Sequence, residues 1–154
     1  MLPAGQTATA AYNPYGAPTT VTDPLGQAVT IAYDQTGLPH ELRDSLGRLV
    51  QFDYNSRGHK VREVDALGGL TTYSYDPYGN QISETNALGQ TPHWSYDAMG
   101  RLTRFDYAGI NAGGKTYTYD ALGRLTRLVF DGVPESYEYD ANGNRTAVLD
   151  ALNH

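Results

Sequence analysis

The chain has 154 residues, no cysteine, four histidines and a formal net charge of −6. That length can bury a core without disulfides or metal, and the missing cysteines exclude a disulfide framework and any thiolate metal site. The acidic balance argues against nucleic acid as a partner, because such surfaces are built from clustered Lys and Arg. No stretch reaches the ~20 consecutive apolar residues that cross a bilayer as a helix. Met1 to Ala11 have neither the basic start nor the apolar centre of a secretory leader, so no export address is read in this segment.

The unusual counts are thirteen tyrosines and seventeen glycines beside a single tryptophan. Glycine at that level without a collagen period points to many tight turns, and tyrosine suits the pleated surface of strands. In chain order, residues 1–11 are small and polar and read as a partial repeat or an N-terminal extension. From residue 12 a unit of the form Tyr-Asp/Asn-x-x-Gly recurs seven times. Its copies run from Tyr12 to Gly16, Tyr33-Asp34 to Gly37, Tyr54 to Gly58, Tyr75-Asp76 to Gly79, Tyr96-Asp97 to Gly100, Tyr119-Asp120 to Gly123 and Tyr139-Asp140 to Gly143. The steps between the tyrosines are 21, 21, 21, 21, 23 and 20 residues. A second unit, Asp/Asn-x-Leu-Gly, begins at Asp23, Asp44, Asp65 and Asn86, each eleven residues after a repeat tyrosine.

Both units carry turn chemistry. Asp or Asn accepts hydrogen bonds from backbone N–H groups just ahead of it, and Gly takes a positive φ without a Cβ clash. Five to seven residues separate the turns, the usual length of a strand, so each repeat reads as strand, turn, strand, turn. Large side chains stand two before the repeat tyrosines, at Ile31, Phe52, Tyr73, Trp94, Tyr117 and Tyr137, and therefore share a sheet face with them. Small or polar residues lie between, such as Ala32, Asp53, Ser74 and Ser95. The strands after the Gly are less regular; in one of them Val61 and Val64 fall on opposite faces. Two connections depart from the rhythm. Tyr107 to Gly114 reads as a longer loop, and Asp131-Gly132 as a short hairpin turn. The fold expected is all-β: tandem hairpins in a single curved, spiralling antiparallel sheet of twelve to fourteen strands, with residues 12–154 as one repeat array.

The segments Tyr75-Asp76-Pro77-Tyr78-Gly79-Asn80, Tyr96-Asp97-Ala98-Met99-Gly100-Arg101-Leu102 and Tyr119-Asp120-Ala121-Leu122-Gly123-Arg124-Leu125 resemble the YD repeats of the RHS (rearrangement hotspot) family. Asp65-Ala66-Leu67-Gly68 and Asn86-Ala87-Leu88-Gly89 fit the same pattern. The resemblance extends from about Tyr12 to Leu152. In that family, which includes bacterial polymorphic toxins, toxin-complex components and teneurins, such hairpins wind into a hollow shell. In the bacterial members the shell encloses a C-terminal toxin domain that a core region cuts free. The resemblance thus implies a structural wall segment of a larger exported bacterial protein, secreted or at the cell surface. Its partners would be the remaining repeats of a longer chain and an enclosed toxin or cargo domain. The family's core segment with its cleavage aspartate is not found here, and no toxin domain follows His154. The self-cleaving and toxic activities therefore have no residues to land on.

Other chemistry is weighed against bland readings. The alternative is a binding module that recognises glycans or a surface protein through the aromatic face or the loop Tyr107 to Gly114, with Trp94 and Tyr107 as contacts, but packing and cross-strand pairing account for the strict aromatic period. Asp140-Ala141-Asn142-Gly143-Asn144 could suggest a calcium site, yet it lacks a bidentate Glu at loop spacing, and turn capping explains it. His40, His59, His93 and His154 have no ligand spacing. No nucleophile elbow, P-loop or dinucleotide fingerprint is present. Neither an enzyme nor a cofactor or metal is expected. Open strand edges and an exposed aromatic face predict that the piece is either part of a longer chain or self-associates.

Overall fold

The computed structural model describes residues 7–109 and 113–151. All regular structure in them is strand: β1 (Thr9–Tyr12), β2 (Pro18–Thr22), β3 (Ala28–Tyr33), β4 (Pro39–Asp44), β5 (Leu49–Tyr54), β6 (Lys60–Val64) and β7 (Leu70–Tyr75), followed by β8 (Gln81–Thr85), β9 (His93–Tyr96), β10 (Leu102–Asp106), β11 (Gly114–Tyr119), β12 (Leu125–Phe130), β13 (Val133–Tyr139) and β14 (Arg145–Leu149). The strands lie in sequence order in one antiparallel sheet. Seven repeats thus give fourteen strands, two per repeat. The chain divides into two compact units, Met1–Thr72 and Tyr73–His154, with the division inside β7.

The turns show why the sequence reverses so often. At Asp34 the backbone N–H donates to the Leu38 carbonyl at 2.8 Å, and the Asp34 carbonyl accepts from Gly37 N–H at 3.1 Å. The Asp34 Oδ1 atom also accepts from the N–H groups of Thr36 and Leu38, at 2.8 and 3.0 Å. Gly37 has φ +85°. This is a three-residue hairpin loop, a type I turn closed by a left-handed glycine. The Leu-Gly unit builds the same loop. Asp44 accepts from Leu46 and Arg48 N–H at 2.9 Å each, and Gly47 has φ +81°. The two sequence units are therefore one turn, Asp/Asn-x-x-Gly, used at both ends of the strands. Asp131-Gly132 makes the expected tight hairpin: both residues have positive φ, 48° and 86°, and Phe130 pairs with Val133. The longer loop runs from Tyr107 to Gly113, whose carbonyl accepts the Tyr107 N–H at 3.1 Å. Its residues 110–112 lie outside the described part.

What distinguishes the two hairpin types is a bulge. Across the turn that follows six of the repeat tyrosines, the register slips by one residue. Tyr33 pairs with Pro39 but Ala32 with Glu41; Tyr119 pairs with Leu125 but Thr118 with Arg127. The same slip stands beside Tyr12, Tyr54, Tyr96 and Tyr139. The extra residue bends the strand and increases its twist. Pro18 and Pro39 sit opposite Tyr12 and Tyr33 at these bulges, where a missing N–H is tolerated. The slip also explains the irregular strands after the glycine: Lys60 faces Tyr54, Val61 is the extra residue, and Val64 faces Gln51.

The other interfaces, from an even strand to the next odd one, are free of slips and share one register. Thr20 faces Thr30, Glu41 faces Gln51 and Arg62 faces Thr72 in the first unit. Ser83 faces His93, Arg104 faces Thr116 and Arg127 faces Ser136 in the second. Each pair joins the residue eight past one repeat tyrosine to the residue three before the next. The sequence distance across these pairs is 10 in four cases, 12 at Arg104 and 9 at Arg127. Register is thus independent of connection length.

The alternation expected for the tyrosine-bearing strands is present. Residues 31–33, 52–54, 73–75, 94–96, 117–119 and 137–139 each read half-buried, exposed, half-buried. Among the described residues none is fully buried, whether apolar or polar. Apolar side chains are covered only by their neighbours in the sheet, so packing contributes less per residue than in a two-layer fold.

Candidate functional site

The repeat tyrosines stand at strand ends beside the bulges, where their hydroxyls reach backbone. In the first unit, Tyr33 donates to the Pro18 carbonyl at 2.7 Å and Tyr54 to the Pro39 carbonyl at 2.8 Å. In the second, Tyr96 donates to Gln81 at 3.0 Å, Tyr119 to Leu102 at 2.8 Å and Tyr139 to Leu125 at 2.7 Å. Every acceptor is the residue six past the preceding repeat tyrosine, and Pro18, Pro39, Leu102 and Leu125 lie opposite that tyrosine at the bulge. Each hydroxyl thus staples its own repeat to the one before. Burial pushes the Tyr54, Tyr96 and Tyr119 hydroxyls above the ordinary phenol value, which keeps them neutral donors. Tyr75 closes β7 and is half-buried; Tyr12, at the end of β1, is 64% exposed.

Four of the glycines that close turns, Gly58, Gly100, Gly123 and Gly143, rest over the preceding repeat. A Cβ built on Gly58 would meet Leu38 at 3.6 Å. In the second unit the same position is filled by Asn80 beneath Gly100, Arg101 beneath Gly123 and Arg124 beneath Gly143. The two arginines do more. The Arg101 Nε atom donates to the Asp97 carboxylate at 2.7 Å, and its guanidinium carbon stands 4.8 Å from the centre of the Tyr119 ring. Arg124 repeats this with Asp120 at 2.7 Å and Tyr139 at 4.7 Å. Their Nη1 atoms reach the carbonyls of Asp120 and Asp140, at 3.4 and 3.3 Å. The backbone N–H groups of Arg101 and Arg124 hold the Asp97 and Asp120 carboxyls below the usual range, with the guanidinium bonds adding to the effect.

The remaining candidates find partners of the same structural kind. Asp76 Oδ1 accepts from Tyr78 and Asn80 N–H at 2.9 Å each. Asp140 accepts from the N–H groups of Asn142 and Asn144 and from the Asn144 side chain, at 2.8 to 2.9 Å. The Asn144 side chain leads in lowering the Asp140 carboxyl. Its oxygens therefore serve the turn. Gly16, Gly79, Gly100 and Gly143 close their turns with φ between 77° and 96°. His40, His59 and His93 lie on β4, just before β6 and on β9 respectively; His154 falls outside the described residues.

Trp94 and Tyr107 belong to one run of rings. The Trp94 centre is 5.5 Å from Phe105, Phe105 is 5.0 Å edge-on from Tyr107, and Tyr107 is 6.5 Å edge-on from Phe130. Lys115, which pairs with both Phe105 and Phe130 across the ladder, holds its ammonium 5.3 Å over the Phe130 ring. Beside the run, the hairpin at 131–132 presses on the loop. The Asp131 N–H donates to the Gly114 carbonyl at 3.0 Å, and a Cβ on Gly114 would stand 2.5 Å from the Phe105 carbonyl. Sequence reasoning singled out the tyrosines, turn residues and glycines. It missed the hydroxyl acceptors, the bulges and the arginine clamps; the Gly-Arg pairs at 100–101 and 123–124 were the available signal for the last.

Comparison with known proteins bears on this arrangement. A family model described as RHS Repeat matches residues 54–91 and 75–109. Among solved structures, the chain is similar to the crystal structure of TcdB2-TccC3-Cdc42, with a TM-score of 0.80 at 22% identity. It is similar also to TcdB2-TccC3 without its hypervariable C-terminal region (TM-score 0.79, 22% identity) and to a Tc holotoxin pore of Photorhabdus luminescens (TM-score 0.77, 22% identity). Each match covers 93% of this chain and 9% of the other, so the chain spans a small part of the proteins it resembles. No curated protein matches. No helix among the described residues is long and apolar enough to cross a membrane.

Proposed function

We propose, from the premise that this chain is an RHS-repeat protein, that it is a wall segment of a larger shell that encloses and shields a toxin or other cargo domain. In this reading the chain performs no chemistry on a substrate; its work is to keep a hydrogen-bonded surface continuous. One observation carries the reading: the register between repeats stays the same through connections of different length, so units can be added without disturbing the ladder. The solved proteins of like fold are Tc toxin assemblies, one of them studied without a hypervariable C-terminal region. That supports a variable tail as the enclosed partner and an exported parent protein as the setting.

The coding sequence on both sides is expected to continue through further repeats into a core segment and a divergent tail. Limited proteolysis of the full parent protein then tests enclosure. The tail should be cut far more slowly within the intact protein than when produced alone; equal rates would sink the cargo reading. A second reading, recognition of glycans by the face bearing Trp94 and Tyr107, draws support from the four-ring run. Against it, Tyr107 is held edge-on by two rings of its own chain. Glycan-array binding that disappears in Trp94→Ala would favour recognition over enclosure.

A further inference from the structure

Asn142 is the one asparagine in the sequence that a glycine follows. Among the described residues it is also the one asparagine whose carboxamide takes no part in a turn. Asn13, Asn55 and Asn86 each spend Oδ1 on two backbone N–H groups of their own turn. The Asn80 and Asn144 side chains donate to the Asp76 and Asp140 carboxylates at 2.9 Å. Asn142 enters the network only through its backbone N–H, which donates to Asp140 Oδ1 at 2.9 Å, and the residue is exposed. Its side chain is therefore free to rotate toward the next peptide nitrogen, that of Gly143, where no Cβ stands in the way.

We propose that Asn142 is a site of spontaneous deamidation and that the turn around it sets the rate. The Gly143 nitrogen, losing its proton to water or hydroxide, attacks the Asn142 Cγ atom. A new C–N bond forms, the bond from Cγ to the amide nitrogen breaks, and ammonia leaves with a proton from solvent. Water then opens the cyclic imide at either carbonyl, giving aspartate or isoaspartate with no change of oxidation state. The folded turn holds this reaction back. The Gly143 N–H donates to the Asp140 carbonyl at 3.1 Å, and Arg124 Nη1 braces that same carbonyl at 3.3 Å. A type I turn also keeps ψ of its third residue at about 0°, with the attacking nitrogen turned into the loop. Attack waits on local opening, and its rate follows the open fraction.

The product matters to the sheet. Isoaspartate places one more carbon in the backbone of a three-residue loop, and loop length fixes the register of a hairpin. Either product adds a negative charge close to the Asp140 carboxylate. The joint between β13 and β14 is therefore expected to loosen, irreversibly and at one repeat only. None of this depends on the wall reading, and failure of either leaves the other standing.

The whole chain is kept folded in mildly alkaline buffer and sampled over weeks, beside a second portion in concentrated urea. Peptide mapping locates each conversion of amide to acid by its mass, and isoaspartate is counted by enzymatic methylation. Conversion should concentrate at Asn142, well ahead of Asn55, which precedes Ser56, and Asn142→Ala should remove it. It should run several-fold faster in urea than in the folded chain. Arg124→Ala, confirmed as folded by circular dichroism, loses a charge-assisted bond to the turn and should convert roughly tenfold faster. Arg101→Ala removes the same clamp one repeat earlier and should leave the Asn142 rate unchanged, which separates bracing of this turn from general loss of stability. A chain that keeps its amides, conversion spread evenly over the asparagines, or equal rates with and without urea would overturn the proposal. Slower conversion in Arg124→Ala would also overturn it, because the guanidinium would then be acidifying the Gly143 N–H instead of holding the turn shut.

Discussion

The two units use the same turn and the same tyrosine staple but hold successive repeats together with different chemistry. In the Met1–Thr72 unit, Leu38 lies beneath Gly58, an apolar contact. In the Tyr73–His154 unit, Arg101 and Arg124 occupy the equivalent place, each tied to its own turn aspartate and laid over the next repeat tyrosine. One repeat architecture thus tolerates an apolar or a charged filler because the backbone sets the register. The filler tunes stability locally. The arginine version adds cation–π attraction and backbone hydrogen bonds, and it makes the turn aspartate a member of a network.

The largest effect should come from pH, because it reaches several turns at once. The Asp34, Asp76, Asp97 and Asp120 carboxyls are held below their ordinary values, led by the Thr36 hydroxyl, the Asn80 side chain and the backbone N–H groups of Arg101 and Arg124 respectively. Their contribution is present above the unfolded value of about 4 and is lost as pH falls through the lower folded values. Thermal melts should therefore show steep destabilisation below about pH 4. The stapling hydroxyls run the other way. Burial raises Tyr54, Tyr96 and Tyr119, so their contribution holds up to about pH 10 and is lost as pH rises through the folded values. A melting temperature flat between pH 3 and 11 would contradict both.

Removing one ring comes next. Tyr119→Ala is expected to cost about 3 kcal/mol in urea denaturation, as loss of a half-buried ring and its hydrogen bond implies. Tyr54→Ala should cost about 0.5–1 kcal/mol less, because no arginine lies over that ring. Equal losses would mean that the stacking contributes nothing.

How much of this the sequence announces follows from how far apart the partners are. The turns are legible because Asp34 serves Thr36 and Leu38, two and four residues away. The alternation around Trp94 and Tyr96 is legible for the same reason. The staple is hidden because Tyr54 finds its acceptor 15 residues earlier, at a carbonyl that any residue type supplies. The bulge at Val61 is hidden because it exists only relative to the partner strand. The clamp from Arg101 to Tyr119 spans two repeats, and nothing local to either residue demands it. The common turn under the YD and Leu-Gly units was within reach, since both read Asp/Asn-x-x-Gly; naming them by their other residues concealed it.

Smaller changes sharpen the contrast between units. Tyr54→Phe and Tyr119→Phe remove the same hydroxyl bond and should each cost about 1 kcal/mol, with no difference between units. Exchanging the fillers should have the smallest effect. Arg101→Leu is expected to cost about 0.5–1 kcal/mol and Leu38→Arg to remain within about 0.5 kcal/mol of the parent, read as the urea midpoint. A large loss in Leu38→Arg would show that the apolar filler is required in that unit.

The distance over which contacts reach has a kinetic consequence. The longest contact described above, from Tyr107 to Phe130, joins residues 23 apart, and the ladder pairs are closer still. All-β proteins fold slowly mainly because distant strands must find each other before any pairing is rewarded. Here each hairpin needs only the segment just before it. A chain emerging from the ribosome can lay down one repeat at a time, with the last folded strand as template for the next and no wait for the C-terminus.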